Sequence, residues 1–425
     1  MTTAAHGPRN HDSVLSQSLA DVTALLSDAT PGATKSSKRP VSKLSQHLLL
    51  AIQRHRAGMD WLIDELSQGR VRPRTRRVLW WAMAQILWSD GVAAPIVTDV
   101  ATAYVKKRHA TAEAGFVNAF LRRLCTQLAE LGRDGLTDGA PPWVKLELPE
   151  TLWQRWRRQF TPEELSAMAD LLQQPADTVF RRRRWPENTL PKGVAALLQP
   201  LPAPPWAPDQ ELFVLKKSCD GVSLSQIMGR GSVFYIQDPS TLLAPALLEP
   251  IPSEQVADLC CAPGGKALLL AEALRGQGRL HCFDRAEAKL SRVRENLAGF
   301  ANVSIAVGDA TKPQLPSASL DALMLDVPCS NSGVIRRRPD VRWAFSEASL
   351  RELTALQAQI LRAGAALLKP GGRLVYSTCS IENEENQAQV RAFLDSHPDF
   401  ILSTEQLLLP TTTHDGAYAA LLRRV

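Results

Sequence analysis

Apolar residues recur at three- and four-residue spacing through residues 44–130, which is the period of amphipathic helices. The pattern predicts a compact helical domain over this range. Glycine and proline residues over 131–142 predict a linker after it. Residues 1–43 are rich in His, Asp, Ser, Pro and Lys, and we expect them to form a polar, disordered tail.

The pattern changes after residue 232, where short apolar runs alternate with helical segments. This alternation predicts an α/β Rossmann-like domain over residues 233–425, with a parallel sheet that helices cover on both faces. Residues 143–232 have a mixed pattern and predict a small α+β intermediate region of the same module. The strand-like runs span residues 256–260, 279–284, 303–309, 321–328 and 372–379.

The segment "DLCCAPGGK" joins the first of these strands to a helix. A glycine loop before a helix N-terminus presents unpaired N–H groups to a ligand. A phosphate-binding P-loop is excluded, because Cys260 stands where its first glycine belongs and Ala267 stands where it needs Ser or Thr. The G-x-G-x-x-G dinucleotide motif is also absent. The loop therefore favours an adenosine compound without a pyrophosphate.

Acidic residues follow three of the predicted strands. Asp284 lies about 20 residues after the glycines, where an acid commonly binds the hydroxyl groups of a ribose. Asp309 and Asp326 follow the next two strands. A lone carboxylate in such a place is often only a helix cap. Three of them around one glycine loop favour an adenosine pocket.

Two cysteines follow neighbouring strands, Cys329 in "LDVPCSNSG" and Cys379 in "VYSTCSIENEEN". We expect both thiols at one rim of the sheet, although a single free cysteine is more often a small buried apolar residue. A disulfide between them is geometrically feasible but disfavoured in a reducing cytoplasm. A thiolate that adds to carbon 6 of a pyrimidine makes carbon 5 nucleophilic. Carbon 5 then attacks an electrophilic methyl group, such as that of S-adenosylmethionine.

Composition narrows the class of protein. The chain has 425 residues, of which 45% are hydrophobic and 22% charged, so we expect a globular protein of two or three domains. It has no apolar run of membrane-spanning length and no signal peptide, so we expect a cytoplasmic protein without a membrane partner. Seven cysteines without a C-x-x-C pair argue against a disulfide framework and against a zinc site.

The net charge of +6 mildly favours a polyanionic partner such as nucleic acid. Arginines cluster at Arg72 to Arg77 and at Arg122-Arg123 within the predicted helical domain. These clusters are consistent with phosphate binding and equally with solvated helix faces, and the pattern leaves both interpretations open.

The motifs "DLCCAPGGK", "FDRAEAKL", "GDATK", "DVPCSNSGVIRRRPDVRW" and "GGRLVYSTCSIENEEN" resemble, in this order, those of the Sun-type RNA (cytosine-5) methyltransferases. The segment "AGFVNAFLRRL" is similar to part of the NusB-like RNA-binding domain that bacterial members carry. The resemblance covers roughly residues 44–425 and is weakest over 143–230. It implies a class I methyltransferase fold behind an all-α NusB-like domain.

The resemblance also implies roles for individual residues. Asp309 would lie beside the adenine, and Asp326 would lie at the methyl end, near the target base. Cys379 of the T-C-S motif would be the nucleophile, and Cys329 of the P-C-S motif would assist product release. S-adenosylmethionine would be bound by Cys260, Cys261, Ala262, Pro263, Gly264, Gly265, Lys266, Asp284, Asp309 and Asp326.

The implied partner is RNA, most simply small-subunit ribosomal RNA, bound by a monomer without a metal. Other RNAs remain open, as do a small-molecule methyltransferase and a non-enzymatic RNA-binding protein of the antitermination type. The sequence departs from the family in a few places. Cys261 and Val327 stand where alanine is common, and Asn331-Ser332 replaces a glycine-containing pair.

Overall fold

The computed structural model describes residues 9–28, 41–67, 69–184, 192–219, 222–228 and 233–425. The chain divides into two compact units. We call residues 1–174 with 338–344 the helical unit, and residues 175–337 with 345–425 the sheet unit.

The helices of the described residues are α1 (Arg9–Asp28), α2 (Lys43–Leu66), α3 (Pro73–Trp88), α4 (Ala94–Arg108), α5 (Thr111–Gly135), α6 (Pro142–Lys145), α7 (Glu150–Gln159), α8 (Pro162–Leu172), α9 (Lys192–Ala195), α10 (Leu224–Ile227), α11 (Leu243–Leu248), α12 (Gly265–Leu274), α13 (Glu287–Leu297), α14 (Val341–Ala344), α15 (Glu347–Ala365) and α16 (Gln387–Ser396). Their strands are β1 (Val179–Arg182), β2 (Leu198–Leu201), β3 (Leu212–Leu215), β4 (Phe234–Ile236), β5 (Gln255–Asp258), β6 (Arg279–Asp284), β7 (Val303–Val307), β8 (Leu320–Asp326), β9 (Leu368–Thr378), β10 (Phe400–Leu408) and β11 (Ala417–Arg424).

The helical unit packs the apolar faces of α1 to α5 into one core. Leu48, Trp81 and Leu121 of this core are completely buried. Side chains also mark where helices begin. Ser42 accepts a hydrogen bond from the backbone of Ser45 at the start of α2, which satisfies an N–H group that has no partner in the helix. The predicted helical domain is thus confirmed.

The prediction of a polar tail over residues 1–43 is wrong for part of that range. Residues 9–28 form α1, and Leu15, Leu19 and Val22 are buried in the core of the helical unit. Their spacing of four and then three residues places them on one helix face, which the polar average composition of the segment conceals. Residues 1–8 and 29–40 lie outside the described residues.

Two predicted boundaries also need correction. The helix α5 runs into the predicted linker as far as Gly135, and Leu136 after it is buried in the helical core. Residues 143–174 belong to the helical unit rather than to an intermediate region of the sheet module. Here α6 to α8 bury Leu152 and Trp156, among other side chains. A glycine-rich composition marks a helix end here, but it does not separate two domains.

A seven-stranded sheet forms the centre of the sheet unit, in the order β10-β11-β9-β8-β5-β6-β7. The five strands from β5 to β9 pair in parallel, which confirms the predicted parallel sheet. At one edge, β10 and β11 pair antiparallel, so the complete sheet is mixed. A smaller antiparallel sheet has the order β2-β3-β1-β4. It confirms the α+β character of the region after residue 175.

The helices of the described residues include none that has both the length and the apolar character needed to cross a membrane.

Candidate functional site

The glycine loop, residues 259–264, connects β5 to α12 at the carboxyl edge of the sheet. The backbone N–H of Cys261 donates to the carbonyl oxygen of Phe283 at 2.9 Å, so the loop is tied to the neighbouring strand β6. Gly264 has φ 104°, and a Cβ there would lie 3.2 Å from the Cα of Val293. Only glycine fits this position without strain, and the turn exposes the N-terminus of α12.

Asp284 ends β6 beside the glycine loop. Its Oδ2 accepts from the backbone N–H of Ala262 at 3.3 Å, and its Oδ1 accepts from that of Ala286 at 3.0 Å. These bonds fix the carboxylate, and each oxygen keeps lone pairs for a further donor. The geometry therefore suits a carboxylate that receives the hydroxyl groups of a ribose.

Asp309 lies after β7 and is exposed. It accepts from the hydroxyl and the backbone N–H of Thr311, at 2.7 and 2.9 Å, and these bonds lower its pKa. The Asp309 carboxylate thus stabilises its own turn. This is the local capping role that the sequence analysis gives as the alternative to ligand binding for a lone acidic residue.

Asp326, at the end of β8, forms an ion pair with Lys266 of α12, and the Oδ2 to Nζ distance is 2.6 Å. Ser377 donates to the other oxygen at 2.9 Å. Burial disfavours the charged form of Lys266, but the charge and the hydrogen bond of Asp326, together with the nearby Cys379 and Asp258, outweigh burial and raise the pKa of the ammonium group. Lys266 also interacts electrostatically with Cys379, so a lasting positive charge lies near that sulfur.

Asp258, at the end of β5, is a site residue that the sequence did not single out. Its Oδ1 accepts from the backbone N–H of Cys260 at 3.2 Å, while its Oδ2 is buried without a hydrogen-bond partner. Burial, together with the charge of Asp326, raises the pKa of Asp258 to about 7. The only sequence signal was its position, directly before the glycine loop.

The structure brings the two cysteines together, as predicted from their neighbouring strands. The sulfurs of Cys329 and Cys379 are 3.3 Å apart, although 50 residues separate them in the chain. The hydrogen bond with Cys379 and the burial of the sulfur raise the pKa of the Cys329 thiol. Cys329 is only 9% exposed, whereas Cys379 is partly accessible.

We call residues 327–333 and 378–386 the cysteine rim, and buried polar side chains hold its two segments together. Glu385 is completely buried. Its carboxylate accepts from the backbone N–H and the hydroxyl of Ser330, at 2.8 and 2.5 Å, and from Gln357 at 2.9 Å. Ser380 lies 3.1 Å, oxygen to oxygen, from both Ser330 and Ser332. The acidic run after Cys379 thus includes a central buried acceptor.

In the helical unit, most of the predicted arginine cluster is neutralised by carboxylates. Glu113 pairs with both Arg72 and Arg74, and hydrogen bonds from Arg74 and Thr75 lower the pKa of Glu113 to about 2. Arg76 pairs with two aspartates of α2. Local ion pairing is therefore a third interpretation of the arginine cluster, beside phosphate binding and a solvated helix face. The sequence alone did not reveal it.

Basic side chains of the helical unit, including the paired Arg74, also line a cavity of about 240 Å³ between α1, α3 and α4. Arg74, Arg77, Arg108 and His109 contribute to its lining. Burial lowers the pKa of His109, and the nearby charge of Arg74 lowers it further. This cavity is the feature of the helical unit best suited to an anion.

The site contains donors and acceptors suited to an adenosine cofactor: a glycine turn at a helix N-terminus, a fixed carboxylate and a buried oxygen without a partner. Among the residues that the structure describes, no three His, Cys, Asp or Glu side chains are grouped to hold a metal ion.

Comparisons with known proteins agree with this division of the chain. The profile of the 16S rRNA methyltransferase RsmB/F family matches residues 245–421, and that of the NusB family matches residues 13–126, which includes most of α1. A probable ribosomal RNA small subunit methyltransferase B of Synechocystis sp. is 30% identical over 85% of this chain and 82% of its own length. The ribosomal RNA small subunit methyltransferase B of Erwinia tasmaniensis is 31% identical over 89% of this chain and 87% of its own length.

A solved structure of a methyltransferase homologue from Pyrococcus horikoshii covers 67% of this chain and 97% of its own, with 26% identity and a TM-score of 0.54.

Proposed function

This chain belongs to the RsmB/F family of 16S ribosomal RNA methyltransferases, and from that premise we propose how its own residues carry out the reaction. The reaction is S-adenosylmethionine-dependent methylation of carbon 5 of a cytosine in ribosomal RNA. The family assignment disfavours the small-molecule methyltransferase and the non-enzymatic RNA-binding protein. The observation that carries the mechanism is the pair of sulfurs, 3.3 Å apart, with Lys266 of α12 interacting electrostatically with that of Cys379.

S-adenosylmethionine, when bound, supplies an electrophilic methyl group. We assign its binding to residues 260–266 and to Asp284, whose carboxylate is already oriented by two backbone N–H groups. Asp309 is assigned to the adenine end, and Asp326 to the methyl end. The buried Oδ2 of Asp258, which has no hydrogen-bond partner, adds an acceptor to this pocket.

The environments of the two cysteines support Cys379 as the nucleophile. The thiolate is the reactive form of cysteine, and a nearby cation favours it. Cys379 is partly accessible and interacts with the Lys266 ammonium group. Cys329 is buried, and its raised pKa disfavours the thiolate. This physical contrast agrees with the roles that the family resemblance implies.

In the proposed reaction, the sulfur of Cys379 forms a bond to carbon 6 of the cytosine, and the electrons of the C5–C6 double bond move to carbon 5. Carbon 5 then takes the methyl group, and the bond from that methyl group to the cofactor sulfur breaks with its electron pair left on the sulfur. The proton on carbon 5 passes to solvent, its electron pair restores the double bond, and the bond between carbon 6 and the Cys379 sulfur breaks to return the thiolate. Cys329, whose sulfur is 3.3 Å from that of Cys379, assists this elimination.

A comparison of two cysteine variants tests the mechanism. Cys379→Ala should abolish methyl transfer and form no covalent species, whereas Cys329→Ala should accumulate protein attached to RNA through Cys379. A denaturing gel separates these outcomes. RNA with 5-fluorocytosine at the target should trap the wild-type protein, because carbon 5 then carries no proton to lose. If the adduct forms in Cys379→Ala and is absent in Cys329→Ala, the two roles are reversed.

We propose small-subunit ribosomal RNA as the substrate, on the basis of the relatives named above. Unstacking a base costs the least free energy in a loop. We therefore expect a hairpin-loop cytosine to be preferred over a paired one. Sequencing of 5-methylcytosine in total RNA, with and without the gene for this protein, should show one small-subunit position that disappears. Loss confined to transfer RNA or to large-subunit RNA would contradict this substrate.

We further propose that the protein acts as a monomer in the cytoplasm. All seven cysteines are free thiols, which suits a reducing compartment. The glycine loop and both cysteines of the rim come from one chain, so the proposed site needs no partner subunit. Sedimentation at micromolar concentration should give the mass of a single chain, and a dimer would contradict the proposed state.

We also propose that the helical unit binds RNA phosphates through the cavity lined by Arg77 and Arg108. Phosphate contacts release counterions, and each contact to single-stranded RNA contributes about 0.7 to the slope of log affinity against log salt. Arg77→Ala combined with Arg108→Ala should therefore flatten the slope by about 1.4. Arg72→Ala is the control, because Glu113 already pairs with that arginine. Equal slopes for all three proteins would mean that this face is only solvated.

A further inference from the structure

The turn after Cys329 places the side chain of Asn331 against Cys379. Asn331 has φ 61° and ψ 22°, in the left-handed region that asparagine tolerates better than most residues with a side chain. Its Nδ2 donates to the carbonyl oxygen of Cys329 at 2.9 Å. Its Oδ1 is therefore the atom that faces Cys379, and it accepts from the sulfur at 3.1 Å. The carboxamide is held at both ends.

These contacts define the direction of a short chain of hydrogen bonds. An amide oxygen only accepts, so the thiol hydrogen of Cys379 points toward Asn331. The sulfur of Cys379 is then left to accept from Cys329, 3.3 Å away. Because burial favours the thiol form of Cys329, a hydrogen is available there to donate. The chain runs from Cys329 through Cys379 to Asn331 and determines the rotation of the Cys379 side chain.

We propose that Asn331 is a positioning residue for Cys379: its carboxamide oxygen holds the thiol of the resting protein, so that the sulfur already has the rotamer of attack when its proton leaves. The inference rests on the proposed function, in which Cys379 is the nucleophile. Alignment of a nucleophile increases the reaction rate, because a sulfur in another rotamer must first rotate to within reach of the carbon that it attacks.

Two variants separate the side chain from the turn that it occupies. Asn331→Gly removes the carboxamide and leaves a residue suited to positive φ, so the turn should be retained. Asn331→Ala removes the same carboxamide but adds left-handed strain of about 1 kcal/mol. If Asn331 positions the sulfur, both variants should lose rate equally, and Asn331→Ala should melt at a lower temperature than Asn331→Gly.

The rate measurement is single-turnover methyl transfer at saturating RNA and S-adenosylmethionine. We expect Asn331→Gly to slow the rate constant about five- to tenfold, because alignment is lost while binding is kept. The KM for RNA and the affinity for S-adenosylmethionine should stay within about twofold of wild type, since the carboxamide forms its hydrogen bonds with the carbonyl oxygen of Cys329 and with the Cys379 thiol. Wild-type rate in Asn331→Gly, with a loss only in Asn331→Ala, would reduce Asn331 to a turn residue and overturn the proposal.

Infrared spectroscopy tests the hydrogen bond directly, without RNA and without turnover. The difference spectrum between wild type and Cys379→Ala identifies the S–H stretching band of Cys379. In Asn331→Gly this band should move to higher wavenumber, because the thiol has lost its acceptor. An unmoved band would overturn the inference. If Cys379→Ala still methylates RNA, the proposed function fails, and the infrared band still decides whether Asn331 holds the thiol.

Discussion

The glycine loop and the cysteine rim occupy the same edge of the sheet but are built differently. The glycine loop is held through its own backbone groups, as in the bonds from Cys261 to the carbonyl oxygen of Phe283 and from Ala262 to the carboxylate of Asp284, and its shape depends on the missing Cβ of Gly264. Side chains hold the cysteine rim, and Glu385 binds Ser330 across 55 residues of sequence. We infer that the loop tolerates most side-chain changes and that the rim is sensitive to them.

The largest effect should follow the loss of the Glu385 carboxylate. Glu385→Ala leaves the N–H and hydroxyl of Ser330 and the amide of Gln357 buried without their acceptor, which should cost about 3 to 5 kcal/mol of unfolding free energy. Glu385→Gln keeps one acceptor oxygen and should cost less than half of that. Denaturant unfolding measures both. Wild-type stability in Glu385→Ala would remove the distinction between loop and rim.

The next effect concerns the ligand rather than the fold. Asp284→Ala removes the carboxylate assigned to the ribose, and the loss of a charged hydrogen bond of about 2 kcal/mol should weaken S-adenosylmethionine about thirtyfold. Isothermal titration calorimetry measures the affinity. Asp309→Ala is the comparison and should weaken binding less, since that carboxylate fastens its own turn. Equal binding by Asp284→Ala and wild type would eliminate the ribose assignment.

A smaller effect should come from a methyl group in the glycine loop. Gly264→Ala combines left-handed strain with a Cβ 3.2 Å from the Cα of Val293, and it should lower the unfolding free energy by about 2 kcal/mol. Gly276→Ala has strain at φ 75° but no heavy atom within 4 Å of the new Cβ, so it should cost about 1 kcal/mol. The difference in thermal unfolding between the two variants isolates the contact. No difference would show that the loop has room to shift.

The smallest effect is a pH dependence centred on Asp258. Its pKa of about 7 in the folded protein exceeds that of an unfolded aspartate. The folded state therefore binds more protons from about pH 4 to about pH 8, and within that range stability should fall by about 1.4 kcal/mol as pH rises from about 6 to about 8. The side chain in Asp258→Asn cannot titrate but keeps an oxygen that accepts from Cys260. The fall in stability between pH 6 and 8 should therefore be smaller in this variant by the contribution of Asp258. An unchanged pH profile in thermal unfolding would show that Asp258 is ionised throughout.

Local patterns were sufficient to predict the glycine loop and the five parallel strands. The loop depends on residues that are adjacent in the chain, and the strand ends carry Asp284 and Asp326 to the same edge whatever the details of packing. The rim was only partly predictable. Its cysteines were found from strand order, but Asn331 and Glu385 were not, because their partners are 48 and 55 residues away.

The helical unit shows the same limit. Its helices follow from apolar spacing, yet α1 was missed because three buried residues are diluted in a polar segment. The arginines of α3 were visible in the sequence, but their charge state in the fold was not. Glu113, which pairs with Arg72 and Arg74, lies on another helix about 40 residues away.

By itself, the sequence determined most of the helices and strands, the glycine turn and the kinds of reactive side chain at the sheet edge. These features depend on backbone conformation and on the alternation of apolar residues, which are local properties. Only the tertiary structure decided which cysteine is buried, which arginines are neutralised and which aspartate has a raised pKa. Burial and pairing arise when distant segments exclude water together, and no short stretch of sequence contains both partners.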